Sequence, residues 1–221
     1  MNLLDFIFPK QCVGCKKFGS YLCSQCLEKV EYLETQTCVY CYKPAISGKT
    51  HPRCFKKNGL DGMVSLANYK TPVKELIKSL KYHYTTDLLN EVEEKFTFRD
   101  EAILEKSATI LPLPLFQSRR NYRGFNQAEL LGKVIAKKLR LSYREGLLER
   151  CVATKPQVGL SQSERAENVK NAFGLRSSLE KKIYYVFDDV WTSGATLKEV
   201  AKVLKQAGAE VVWGLTFAHP R

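Results

Sequence analysis

Between Tyr184 and Thr196 the chain runs Tyr-Tyr-Val-Phe-Asp-Asp-Val-Trp-Thr-Ser-Gly-Ala-Thr. The apolar start predicts a buried strand, the two acids its C-terminal end, and the hydroxyl- and glycine-bearing segment a loop that opens a helix. A helix start leaves backbone N–H groups without partners and carries partial positive charge, so it attracts phosphate. Gly194 permits close backbone approach, and the hydroxyls of Thr192, Ser193 and Thr196 add donors. Asp188 and Asp189, one loop away, suit the diol of a sugar. They would also favour Mg2+ and a positively charged, oxocarbenium-like carbon. No Gly-Lys-Ser/Thr follows, so this is not a Walker loop, and it is not Gly-x-Gly-x-x-Gly. The bland alternative is an ordinary strand-to-helix turn capped by Thr or Ser; the paired acids argue against it.

A second chemistry sits near the N-terminus. Seven of the eight cysteines precede residue 55, as Cys12-x2-Cys15, Cys23-x2-Cys26, Cys38-x2-Cys41 and then His51-x2-Cys54. Two residues between ligands let both reach one metal from a tight turn, and zinc takes four such ligands in a tetrahedron. Eight ligands make two closed, structural sites. The sequential pairing puts Cys12, Cys15, Cys23 and Cys26 on one ion and Cys38, Cys41, His51 and Cys54 on the other; an interleaved pairing satisfies the spacing equally. Disulfides would need an oxidising compartment and would leave one of the seven unpaired. A thioredoxin-like redox pair belongs after a strand at a helix start, not in a tandem array. About 60 residues hold too little core to stand alone, so metal is expected to supply much of this module's folding free energy. Cys151, far from the others, is an ordinary thiol on this reading.

The elements that must position these residues follow from hydrophobic spacing. Gly59 to Gly62 marks a junction between a two-zinc module, residues 1–60, and a second domain, residues 61–221. The second domain is predicted to contain strands at Val64 to Tyr69, Ala108 to Leu113, Ile183 to Phe187 and Val211 to Phe217. Helices are predicted at Val73 to Tyr82, Leu88 to Phe96, Phe125 to Leu139, Ser163 to Phe173 and Ala195 to Gln206, with Gly208 as a C-terminal cap. Arg119, Arg120, Arg123 and Gly124 fall in an expected loop, and Cys151 to Gln162 in another. Strands alternating with helices imply an α/β fold with a parallel sheet and flanking helices. Ligands in such sheets bind beyond the C-terminal strand ends.

Lys plus Arg number 35 against 23 acids, a formal charge of +12. Seven thiolates on two Zn2+ lower that to about +9. The excess suits a polyanionic ligand, nucleic acid, or simply solubility. No apolar run approaches the ~20 residues of a membrane span, and Leu3 to Phe8 is too short for a signal peptide core. The expected location is therefore the cytoplasm, with at most a peripheral membrane association.

The thirteen residues from Tyr184 resemble the signature of type I phosphoribosyltransferases. The resemblance implies that Asp188 and Asp189 hold the ribose as the candidate catalytic pair, and that Thr192, Ser193, Gly194, Ala195 and Thr196 hold the 5-phosphate of phosphoribosyl diphosphate, delivered with Mg2+. Ser193 stands where Thr is frequent and keeps the hydroxyl. The whole chain resembles the ComF-type competence proteins, through the cysteine pairs, Leu76 to Tyr82 (LIKSLKY), Leu111 to Gln127 (LPLPLFQSRRNYRGFNQ) and Lys155 to Phe173 (KPQVGLSQSERAENVKNAF). His51 stands where that family often has Cys. Arg119, Arg120, Arg123 and Gly124 are expected on the diphosphate side, since Arg suits bidentate phosphate contacts. Lys155, Gln157, Ser163 and Arg165 are expected on or beside a loop that closes over the site, with Lys155 and Arg165 also on the diphosphate side. Lys81 and Tyr82 are placed near the same cleft.

Phosphoribosyl transfer to an unnamed acceptor is the leading expectation. A competence adapter that holds single-stranded DNA and retains the phosphate pocket is the second, and a metabolic salvage enzyme the third. The resemblance further implies a link to natural transformation and partnership with a competence helicase. Type I relatives are often homodimers.

Overall fold

A computed structural model of the chain describes residues 9–82, 86–96, 104–153 and 161–220. Leu3 to Phe8, Lys155 and Gln157 lie outside them. The centre is a five-stranded, all-parallel sheet in the order β1-β7-β6-β2-β3. Its strands are β1 (Gly62–Asn68), β2 (Thr109–Pro112), β3 (Ser142–Tyr143), β6 (Ile183–Val190) and β7 (Val211–His219). An antiparallel ribbon of β4 (Leu148–Arg150) and β5 (Phe173–Leu175) stands apart from it.

The helices are α1 (Ser24–Leu27), α2 (Val73–Tyr82), α3 (Thr86–Lys95), α4 (Gln117–Arg123), α5 (Gln127–Leu139), α6 (Gln162–Val169) and α7 (Ala195–Gln206). On α2, Val73, Leu76, Ile77 and Leu80 recur at helical intervals and are all essentially buried. They share one core with Leu88 and Val92 of α3, Leu131 and Ile135 of α5, and Tyr185 and Phe187 of β6. The opposite sheet face holds a second core of Leu197, Val200, Ala201 and Leu204 from α7, with Tyr184 and Val186 of β6 and Phe173 of β5. The sheet is thus a middle layer with helices on both sides.

Several boundaries differ from the expected ones. The arginine-rich segment after β2 is a short helix, α4, not a loop; Gly124 closes it in the left-handed region at φ 80°. The helix expected over Ser163 to Phe173 ends at Val169, because Phe173 pairs with Arg150 in the ribbon. Strand β6 runs on through both acids, since Asp188 and Val190 stay in register with Thr216 and Ala218 of a long β7.

Residues before β1 close its outer edge, where unpaired backbone groups would otherwise face solvent. Tyr32 bridges Ala67 and Lys49 bridges Gly62, both antiparallel. The buried Gln36 side chain imitates a strand between them, donating from Nε2 to Ser65 O and accepting from Ser65 N through Oε1, each at 3.0 Å. Asp61, just before β1, is held to the sheet: its carboxylate accepts from Val212 N and pairs with the nearly buried Lys205, both at 2.7 Å.

Candidate functional site

Strand order decides where a ligand fits. From β2 the chain steps outward to β3; from β6 it steps the other way to β7. The reversal lies between β2 and β6, and a crevice opens there beyond their C-terminal ends. A cleft of about 460 Å3 occupies that place, lined among others by Leu113, Pro114, Asp188, Asp189, Thr192 and Thr196.

Side chains alternate across a strand, so the two acids part company. Tyr185 and Phe187 face the α2–α5 core and Asp189 follows them; Tyr184 and Val186 face the α7 core and Asp188 follows those. Asp189 is buried, with Oδ2 2.7 Å from Lys81 Nζ at the end of α2. Burial alone would lower the Lys81 ammonium, but the charge of Asp189, aided by Asp188, holds it above its usual range. Asp188 accepts from Asp189 N at 2.8 Å. Burial, and then the neighbouring Asp189 carboxylate, push the Asp188 carboxyl well above the ordinary carboxylate range. Adjacent acids at one strand end therefore occupy different electrical environments.

The loop from Val190 to Thr196 encloses a small hollow of about 30 Å3, into which Asp188 but not Asp189 opens. Gly194 is the N-cap of α7 at φ 69° and so supplies no capping side chain. A Cβ there would lie 2.9 Å from Trp191 Nε1 and 3.1 Å from Val39 Cγ2, so the position demands glycine on two counts. The first amide of this 12-residue helix, Ala195 N–H, donates to Ser193 Oγ at 3.4 Å, and the helix start carries the partial positive charge that favours an anion.

Cations gather on the far wall. Arg119, Arg150 and Arg165 line the cleft with Lys81, four cations against two carboxylates. Burial, and then the charge of Arg119, pull the Arg150 guanidinium below its usual range, the mark of like charges held close. Arg165 Nε is buried with no hydrogen-bond partner among the described residues. A capping box sets its position, with Ser161 and Glu164 satisfying each other's backbone at the start of α6. Arg120 and Arg123 take other partners, Glu129 at 3.0 Å and Gln127 at 2.5 Å, and neither lines the cleft. Ser163 is exposed on α6. Asn126, fully buried, ties the wall together: it accepts from Ala128 N to cap α5 and donates to Leu113 O at the end of β2. Sequence reasoning singled out neither Arg150 nor Asn126. The signals available were a basic residue in a short strand before a polar stretch, and Asn three residues ahead of an acid at a helix start.

The cysteine ligands form two groups, Cys12, Cys15, Cys23, Cys26 and Cys38, Cys41, His51, Cys54, with ligand atoms within 4.8 Å of one another in each. The sequential pairing is the observed one. Sulfurs about 2.3 Å from a tetrahedral zinc lie roughly 3.8 Å apart, and Cys12–Cys23 and Cys15–Cys23 both measure 3.7 Å. In the second group His51 turns Nδ1 toward Cys41 at 3.2 Å while Nε2 donates to Pro44 O at 3.0 Å. That outer contact fixes the tautomer with Nδ1 free to ligate. Both groups fit structural zinc. Burial would raise the Cys12 and Cys38 thiols, but surrounding backbone amides outweigh it and hold them at about 6 and about 7.

Among the described residues no helix is long and apolar enough to cross a membrane. Residues 3–55 match the double zinc ribbon domain family. The chain is 32% identical to competence protein F of Haemophilus influenzae over 94% of its own length and 90% of the relative's. It is 30% identical to the DNA utilization protein YhgH of Escherichia coli K12, over 86% and 87%. It is also 30% identical to competence protein ComFC of Streptococcus pneumoniae, over 87% and 85%. At 30–32% identity over more than four fifths of both chains, the protein belongs to the competence protein F (ComF) family.

Proposed function

We propose that the cleft binds phosphoribosyl diphosphate and that the protein acts on it as a phosphoribosyltransferase in the service of DNA uptake, a role supported by relatives named for competence and for DNA utilization. One observation carries this reading: carboxylates, a helix start with glycine at its N-cap and a cluster of guanidiniums converge on one cleft at the sheet's switch point. The 5-phosphate would rest on the loop of Thr192, Ser193, Gly194, Ala195 and Thr196. Asp188 and Asp189 would accept from the ribose hydroxyls. Arg119, Arg150 and Arg165 would face the diphosphate, whose charge relieves their mutual repulsion. An acceptor then attacks C1, the bond from C1 to the diphosphate oxygen breaks, and diphosphate leaves with the bonding electrons. Mg2+ bound with the diphosphate would neutralise the charge that develops there. The protein's contribution is position and field, with no covalent intermediate.

Calorimetric titration with phosphoribosyl diphosphate and Mg2+ tests the proposal. Wild type should bind, and an Asp188→Ala, Asp189→Ala variant with both zincs and an intact fold should not. A well-folded wild type that binds nothing would sink it.

A second role is favoured by a different observation. From Cys38 to Leu60 there is no acid, while Lys43, Lys49, Arg53, Lys56 and Lys57 are all exposed, as are Tyr42, Ile46 and Phe55. Cations interleaved with exposed rings suit the backbone and bases of single-stranded DNA. Binding whose affinity falls steeply as salt rises supports the adapter role; salt-independent or absent binding removes it.

A further inference from the structure

The second cysteine group lies against the phosphate loop. Tyr42, one residue past the ligand Cys41, donates its hydroxyl to Ser193 O at 3.0 Å. Its ring stacks on Trp191 with centroids 6.0 Å apart and planes at 17°, and Trp191 stacks in turn on His219 at 3.9 Å and 12°. Val39, between ligands Cys38 and Cys41, is fully buried in the α7 core, with Cγ2 3.1 Å from where a Cβ on Gly194 would lie. Lys198 of α7 adds a second donor to Ser193 O at 3.2 Å, and its ammonium lies over the rings of Tyr40 at 5.1 Å and Tyr42 at 5.6 Å. The first cysteine group is fastened elsewhere: Glu91 of α3 accepts from Tyr21 N and Leu22 N at 2.8 and 2.7 Å.

The Ser193 carbonyl is the lever. In a planar trans peptide the carbonyl and the next N–H point in opposite directions. Holding Ser193 O toward Tyr42 and Lys198 therefore turns the Gly194 N–H to the other side of the loop. Left-handed glycine peptides rotate easily, so this peptide needs such an anchor to present one orientation.

We infer that the stretch from Cys38 to Tyr42 positions the phosphate loop, with Tyr42 as the positioning residue, so that metal in the second cysteine group and anion on the loop are energetically linked. The identity of the anion rests on the function proposed above; the ordering of the loop does not. Linkage is reciprocal: whatever zinc in this group contributes to anion affinity, bound anion returns to zinc retention there, and not in the first group.

The test uses the full zinc-loaded protein, with Tyr42→Phe, which keeps the ring and its stack, and Lys198→Met, which removes the other donor. Amide hydrogen exchange of Thr192 to Thr196 without ligand should rise about three- to tenfold in Tyr42→Phe, the scale of one lost hydrogen bond, and by less in Lys198→Met. Exchange in β6 and β7 should stay unchanged, as should a zinc content of two per chain. With phosphoribosyl diphosphate and Mg2+ added, wild type should surrender one of its two zincs to a chelator more slowly, and Tyr42→Phe should lose that selective protection. Unchanged loop exchange in both variants overturns the inference whatever binds. Absence of ligand binding by wild type sinks the functional reading instead, and the exchange comparison still decides this one. Equal protection of both zincs overturns the linkage.

Discussion

Lys81 Nζ lies 2.7 Å from Asp189 Oδ2, so the end of α2 is tied to the end of the central strand β6 across the mouth of the cleft. The lysine is one quarter exposed and the aspartate side chain 7% exposed. Removing one member of such a pair strands the other. Lys81→Met should destabilise the ligand-free fold by about 2–4 kcal/mol, read from denaturant midpoints. Adding Asp189→Asn should recover most of the loss. A single variant as stable as wild type would show that water already shields the aspartate.

Asp188 predicts a pH dependence of definite sign. Its carboxyl is raised in the folded state by burial and by Asp189. A raised folded pKa means that the native state holds this proton more tightly than the unfolded chain. Its stabilising contribution is complete below the ordinary carboxylate range and is lost as pH rises through the folded value. Ligand-free Asp188→Asn should therefore melt higher than wild type at neutral and mildly alkaline pH, with the gap closing toward acid. A gap that widens in acid contradicts the assignment.

The arginines separate by what they touch. Arg150→Ala should weaken phosphoribosyl diphosphate binding about 10- to 100-fold, the scale of a lost charge-assisted contact. Arg120, half-exposed and paired with Glu129, should matter less than about fivefold when changed to Ala. Equal losses in calorimetry would mean that the cluster acts through overall charge and not through placement.

Glu91→Ala should loosen the first cysteine group alone. It deletes the acceptor of two backbone N–H groups and a 2.7 Å partner of Lys95, at a cost of about 2–4 kcal/mol. Chelator titration should then release one zinc early while the second keeps its wild-type rate. Simultaneous release would show that the two groups unfold as one.

Much of this arrangement was legible before any coordinates. The limits of α2 and α7 follow from apolar spacing that packing did not override, and the cysteine spacing fixed the ligands, though not their pairing. What escaped was set by partners distant in the chain. The strand β6 runs past its apolar stretch because β7 offers Thr216 and Ala218 as neighbours. Two- and three-residue strands such as β3 and β4 carry no period to detect. The α4 segment has too few apolar residues to announce a helix. The Lys81–Asp189 pair and the Tyr42–Ser193 contact join residues more than 100 positions apart, where local pattern is silent.

The strand order also sets a timetable for biosynthesis. Of the described strands β7 is made last, and it is inserted between β1 and β6. Until it arrives, the first-made strand has no parallel partner and the acid-bearing strand has one side bare. At roughly 5–20 residues per second, the ribosome needs about 7–30 s to travel from Gly62 to Val211. Through that interval the metal-binding segment can fold around zinc while the sheet it will cover remains open. A chain cut short before Val211 would thus be a zinc-loaded protein whose β1 is severed from the β6-β2-β3 half of the sheet, and quality control would meet it as an exposed pair of sheet edges.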